Sequence, residues 1–440
     1  MTNEGREKRE SLVAVISGTD VLVVGGPAGP RLPHLDDEFP APAQVIAAAG
    51  VDSDLAVIVA PTRHVPGAPA HLVHLVAVEG RPDGTDWIAL DRLDAPAGVR
   101  DAIRLGTDEW AGRRPRPANR PAWYAPGWRG DADSWIDDRL TELGRHRAGP
   151  SEPVKLWSLS AVLRIPTTTL GGHLPAETVF FKAACDWFRD EPAITQAIAA
   201  IRSDHLPRVL AADHQRAWML MDPLPGEGVE TPLADVVPAA VILAQLQIEL
   251  LGHLPALRAA GLPDRTLQPT RTGLTAVARD SIELEQLTAD ERTSASAMLP
   301  WLLDRLDAFE AIGLPYSVTH GDLHAGNLAV AGDDLILYDW TDAAIGFPFL
   351  DAAHLAASAG SDAEVRRRVL AAYADVWSEA YDRTQVELML EQAPLVDRVY
   401  QMISYEGIYR SRERDSLWEM RGIVARSLRQ LIEQWHAAVD

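Results

Sequence analysis

Short apolar runs of strand length alternate with segments of helical spacing along the chain. Runs at Leu12–Ser17, Val21–Val24, Leu55–Val59 and Leu72–Val78 read as strands, and Ala43–Ala49 and Gly98–Leu105 as helical patches. Together they predict a small α+β domain over residues 1–110. The stretch 111–130 contains RRPRPANRPAWYAPGW, too rich in Pro, Arg and Gly for a regular element, and predicts a linker. Its Trp123, Tyr124 and Trp128 are expected to pack against a domain. Trp135, Ile136, Leu140 and Leu143 then recur at amphipathic spacing, predicting a helix from Asp131 to His146 with Asp131 or Asp133 as cap. From Val154 to Met221 the order is strands, a helix through about Arg202, and strands again. Beyond Pro232 nearly everything has helical periodicity except Ser317 to Asp339. A β-rich lobe over 131–225 followed by a helical lobe over 226–440 is an arrangement that can close on a nucleotide.

Composition narrows the classes. The 440 residues are 47% hydrophobic and 24% charged, enough for two or three cores. A single cysteine, Cys185, excludes a disulfide framework and a cysteine metal cluster, and suits a reducing cytoplasm. The polar N-terminus lacks a secretory pattern, and apolar runs such as Pro238 to Leu246 fall short of the roughly 20 residues that span a bilayer, so no membrane partner is expected. A net charge of −22 repels phosphate backbones, and the basic residues Arg113, Arg114, Arg116 and Arg120 sit in the linker, so nucleic acid is not expected either.

The chemistry concentrates in YSVTHGDLHAGNLAVAGDDLILYDWTDAAIGFPFLDAAHL, Tyr316 to Leu355. His320-Gly321-Asp322 is followed five residues later by Asn327, and a strand-like LILYD ends at Asp339. Phosphoryl transfer to a hydroxyl needs a carboxylate beside the attacking oxygen and hard oxygen ligands for magnesium from separate chain segments. Asp322 fits the first part. Past a sharp turn at Gly326, Asn327 can turn its amide oxygen toward a metal that Asp339 approaches from the following strand. Asp, Asn, Gly and His also favour ordinary turns, and it is the order and spacing of the three residues that favours chemistry. His320 and His324 lack a third zinc ligand at suitable distance, so His320 is expected to brace the loop.

The pattern H-G-D-L-H-x-x-N followed by Y-D-W resembles the catalytic segment of the aminoglycoside phosphotransferase and choline kinase group, which has a protein-kinase-like fold. The later G-F-P-F-L-D, Gly346 to Asp351, is similar too. The resemblance implies a two-lobed kinase-like fold behind the front domain, ATP and Mg2+ as cofactors, and a small-molecule hydroxyl, on a sugar, amino sugar or aminoglycoside, as acceptor. It makes Asp322 the base, Asn327 and Asp339 the metal ligands, and Asp351 a structural cap or buried partner. A pseudokinase that binds nucleotide to regulate a partner is the alternative, and the intact acid set argues against it.

The same resemblance calls for a phosphate-binding lysine on the third strand, here Lys182, with Glu191 as its partner, although Pro192 would kink or start the helix there. It puts the phosphate-covering turn near Ser158 and Ser160, which also suit a plain turn, and the purine site at Met221, Asp222 and Leu224, read through main-chain groups. Gly171-Gly172 suits a solvent hairpin turn. In the front region VAVISGTDVLVVG is followed by RLP, a helix and later DWIALDRL, which resembles a Nudix-like domain, but its helix, AQVIAAA, has no carboxylate to bind metal. A structural or substrate-capping module is therefore expected there.

Overall fold

A computed structural model describes residues 9–25, 30–37, 40–50, 56–67, 69–78, 80–169, 177–226, 236–332 and 334–439. The expected Gly171-Gly172 turn and the start of the Leu55–Val59 strand lie outside these residues. The chain divides into two compact units, residues 1–186 with 411–419, and residues 187–410 with 420–440.

In the first unit a seven-stranded sheet carries the front of the chain. Five strands run in the order Ala56–Ile58, Ala70–Val78, Arg9–Ser17, Asp20–Val23 and Asp86–Ala89, while His34–Leu35 pairs with Arg9–Ser17 and Arg63–Val65 with Ala70–Val78. Arg9–Ser17 and Ala70–Val78 are parallel, from Arg9 opposite Ala70 to Ile16 opposite Ala77. Their near-continuous apolar sequences follow from burial on both faces. Val13, Val15, Val76 and Val78 pack with Val45 and Ile46 of the helix Pro42–Ala49, while Ala14, Ile16, Val73 and Leu75 pack with Val99 and Ile103 of the helix Ala97–Trp110. This is the period-two alternation of a strand, read on two covered sides.

Behind this sheet, Trp123, Tyr124 and Trp128 are buried as expected. Trp128 and Trp135 set their rings 6.1 and 5.9 Å from Phe181. The helix expected from Asp131 to His146 instead spans Trp128–Glu142. Gly144, at φ 71°, turns the chain, and Arg145–Arg147 becomes a strand paired with Thr167–Thr169. Asp131 therefore lies inside the first turn, and the Asp133 carboxylate receives Ser151 Oγ at 2.7 Å. Ser160–Thr169 also pairs with Glu152–Leu156 and, antiparallel, with Glu177–Ala184, where Val162 faces Lys182.

The segment 411–419 joins this unit through charge. Arg120 holds Glu413 by Nε at 3.0 Å and Nη2 at 2.8 Å and Glu109 at 2.6 Å, while Arg63 joins Glu109 at 2.8 Å and Asp415 at 2.6 Å.

The second unit is mostly helical. The helix Glu191–Ile201 and the hairpin Val209–Asp213 with Trp218–Met221 come first. The helices Val236–Leu250, Leu267–Asp280, Ala289–Glu310, Phe349–Ser358, Ala363–Trp377, Arg383–Ser411 and Ile423–Val439 follow. Among the described residues one stretch, Val236–Ala259, is long and apolar enough to cross a membrane by length and composition. It is a core helix here: Ala239, Ala240, Leu243 and Leu250 are buried, and Gln247 is held by Tyr373 Oη at 2.6 Å and donates to Asp351 at 2.9 Å. Two short antiparallel pairs interrupt the helices, Ser317–Thr319 with Ala344–Gly346, and Leu328–Ala331 with Asp334–Leu337. The polar motif is strung between them.

Candidate active site

The loop after Ser317–Thr319 is fixed from beneath by one buried carboxylate. Asp351 sits in the first turn of Phe349–Ser358 and accepts the backbone N–H groups of His320 at 2.7 Å and Gly321 at 2.9 Å. Burial pushes its carboxyl up to about 7, against the pull of these two donors. Gly321 stands at φ 83°, and a Cβ there would come within 2.4 Å of the Asp342 carbonyl and 2.9 Å of the Tyr400 hydroxyl. Only glycine fits that left-handed, crowded position.

His320 braces the loop from inside. Fully buried, its ring is lowered to about 4 by desolvation and is neutral at ordinary pH. Nε2–H donates to the Tyr338 carbonyl at 3.0 Å, leaving Nδ1 as acceptor for the Asp322 N–H at 3.4 Å, and the ring lies 4.6 Å from that of Trp340. One imidazole thus ties the two chain segments that carry the candidate acids.

Asn327 binds both the Asp322 segment and Tyr338, the residue before Asp339. The Asn327 side chain donates through Nδ2 to the Asp322 carbonyl at 2.8 Å, and its own carbonyl accepts the Tyr338 N–H at 3.1 Å. With the nitrogen so engaged, the amide oxygen remains as a hard donor. Asp339 follows the strand Asp334–Leu337 at φ 67°, an uncommon backbone for a non-glycine residue and one that often accompanies function. Thr341 Oγ1 donates to its Oδ1 at 3.2 Å. Among the described residues no group of three or more His, Cys, Asp or Glu side chains is arranged to hold a metal. An amide oxygen and one carboxylate nevertheless fit magnesium, which takes one or two protein ligands and completes its shell with phosphate and water.

Asp322 is about one-third exposed, with Oδ1 3.3 Å from His354 Nε2 and Oδ2 3.9 Å from His324 Nε2. His354 also reaches Asp397, at 3.2 Å from Nδ1. Neither His354 nor Asp397 stands out in the sequence. The available signal is that His354 follows Asp351 by three residues, which puts both on one face of a helix. Asp342 is partly buried, receives the Ser404 hydroxyl, and is pushed up to about 6 by burial, with Arg265 opposing.

The nucleotide-side residues fall in both units. In the first, Lys182 is buried on Glu177–Ala184. Ser158 is buried, and its hydroxyl donates to Glu419; Ser160 Oγ accepts Trp157 Nε1–H at 2.9 Å. Both hydroxyls therefore have protein partners. In the second, Glu191 is buried as the first residue of Glu191–Ile201, so Pro192 starts that helix and does not kink it. Met221 ends its strand, the Asp222 N–H donates to the Arg208 carbonyl at 3.1 Å, and Leu224 follows in a segment without regular structure.

Comparison with known proteins completes the picture. The model of the phosphotransferase enzyme family matches residues 146–386. Among solved structures, choline kinase LicA from Streptococcus pneumoniae aligns at 10% identity and a TM-score of 0.46, covering 70% of this chain and 99% of that one. The macrolide 2'-phosphotransferase MphH from Brachybacterium faecium aligns at 16% identity and a TM-score of 0.45, covering 66% and 98%. A choline/ethanolamine kinase family protein from Mesorhizobium loti aligns at 15% and 0.44, covering 70% and 98%. No curated protein matches the chain in sequence.

Proposed function

The chain belongs to the phosphotransferase enzyme family, and on that premise we propose that it transfers the γ-phosphate of ATP to a hydroxyl of a small molecule, a sugar, amino sugar or aminoglycoside-like compound. The observation that carries this reading is the neutral His320 brace, which ties the loop of Asp322 and Asn327 to Tyr338, the residue before Asp339. Asp322 accepts the proton of the acceptor hydroxyl as its oxygen bonds to the γ-phosphorus. The bond from that phosphorus to the bridging oxygen breaks, and its electron pair leaves with the nucleoside diphosphate. The Asn327 amide oxygen and the Asp339 carboxylate would hold Mg2+, which when bound neutralises charge on the phosphate oxygens.

Lys182 would meet the α- and β-phosphates, with Glu191 as its orienting acid. The turn at Ser158 and Ser160 would cover the phosphates; Glu419 engages both the hydroxyl and the N–H of Ser158, and Trp157 the hydroxyl of Ser160. Main-chain groups of Met221, Asp222 and Leu224 would read the purine. The single cysteine suits a cytoplasmic enzyme.

The test is a panel of amino sugars, aminoglycosides and other hydroxylated metabolites offered with Mg–ATP and Mg–GTP. A phosphorylated product together with stoichiometric nucleoside diphosphate is the expected result. Nucleotide binding with no transfer to any acceptor would replace the enzyme reading with that of a regulatory nucleotide binder.

A further inference from the structure

We propose that His354 and Asp397 form a positioning pair for Asp322: His354 grips one carboxylate oxygen through Nε2, Asp397 anchors the ring through Nδ1, and the second Asp322 oxygen is thereby presented to the acceptor. The inference rests on Asp322 being the base of the proposed transfer. Its geometry is independent of that reading.

The ring bridges two helices. His354 lies on Phe349–Ser358 and Asp397 on Arg383–Ser411, so the contact ties the helix that braces the loop to the longest helix of its unit. Nε2 is 3.3 Å from Asp322 Oδ1, and Nδ1 is 3.2 and 3.3 Å from the two Asp397 oxygens. Ionised carboxylates only accept hydrogen bonds, so both contacts are satisfied at once only by the doubly protonated imidazolium. Burial favours the neutral ring, but the hydrogen bonds to Asp322 and Asp397 outweigh it and raise the group to about 10.

The other groups that bear on the ring are His324, 6.3 Å away between centroids, Asp351 on the same helix, and Arg398, which interacts with Asp397. A base exposed by a third of its surface can rotate away from the reacting hydroxyl, and a misplacement of about 1 Å can cost about 10²-fold in rate. The pair fixes one rotamer. Its distances are longer than those of tight ionic hydrogen bonds, as resting catalytic contacts often are.

The experiment has two arms. Heteronuclear NMR of the imidazoles in the full chain, without nucleotide or acceptor, follows the charge of His354 between pH 5 and 11. The ring is expected to remain doubly protonated well past neutrality, and Asp397→Asn to move its titration down by at least about one unit. A wild-type ring that titrates near 6.5, or one indifferent to Asp397→Asn, overturns the pair. The second arm is the pH profile of kcat: His354→Gln is expected to lower kcat about ten-fold or more with the nucleotide KM unchanged. Asp397→Asn, which keeps side-chain size, is expected to move the alkaline loss of kcat toward neutrality by the same interval as the NMR titration. Losses of kcat without that matched shift would reduce the pair to a packing role. A wild type inactive on every acceptor overturns the role assigned to Asp322 while leaving the NMR result to decide the pair itself.

Discussion

Each unit holds a cluster of arginine or histidine with carboxylates, and the two are closed off in different ways. In the first, Arg63, Glu109, Arg120 and Glu413 all have side chains no more than 8% exposed, and Asp415 alone lies at the margin. In the second, Asp397, His354 and Asp322 form a line of rising exposure, 16%, 22% and 34%. A cluster closed off from solvent fastens the 411–419 segment to the front sheet. One that is anchored at its buried end and open at the other leaves a carboxylate exposed to solvent. The same residue types serve structure in one place and, in the function proposed, chemistry in the other, and burial separates them.

The comparison breaks most visibly at Arg120. Arg120→Met strands Glu413 in a buried setting and leaves Glu109 with Arg63 alone, and is expected to cost about 3–5 kcal/mol of stability, read by denaturant unfolding, with kcat per folded molecule unchanged. A large fall in kcat without loss of stability would place the closed cluster in the chemistry. Asp339→Asn is expected to do the reverse. Its removal of one hard ligand should raise the magnesium concentration for half-maximal rate and cut kcat by about 10²-fold, with little change in melting temperature. Insensitivity to magnesium in that variant would remove Asp339 from the metal site.

The smallest effects are in pH dependence, where the histidines differ in sign. His74 and His320 are both lowered to about 4 by burial, so the stability they contribute is present above the unfolded value of about 6.5 and lost as pH falls through 4. His354 is raised, so its contribution is present below about 6.5 and lost as pH rises through about 10. Melting temperature against pH should therefore lose its alkaline slope in His354→Gln and keep its acid slope. An unchanged alkaline slope would contradict the ionic setting of His354.

What the sequence discloses is what is local. The helices near 43–49 and 98–105, the buried aromatic residues of the Pro-rich stretch and the order of Asp322, Asn327 and Asp339 all depend on spacings of a few residues. The helix end at Glu142 is also local, but the amphipathic pattern carried through Leu143 and hid the turn at Gly144. Contacts across long separations leave no such trace. Glu419 meets Ser158 across 261 positions, and Asp397 meets His354 across 43. Asp351 could be read as a structural partner because a motif contains it; His354, three residues on, lies outside that motif.

The central claim is that one carboxylate removes the acceptor proton. Its most direct measurement is single-turnover transfer of γ-phosphate to a verified acceptor by wild type and by Asp322→Asn, each at equal folded concentration and saturating Mg–ATP. Loss of the transfer rate by about 10²–10⁴-fold in the variant, with nucleotide binding and melting temperature preserved, is the result the account predicts. Transfer at the wild-type rate by Asp322→Asn would contradict it.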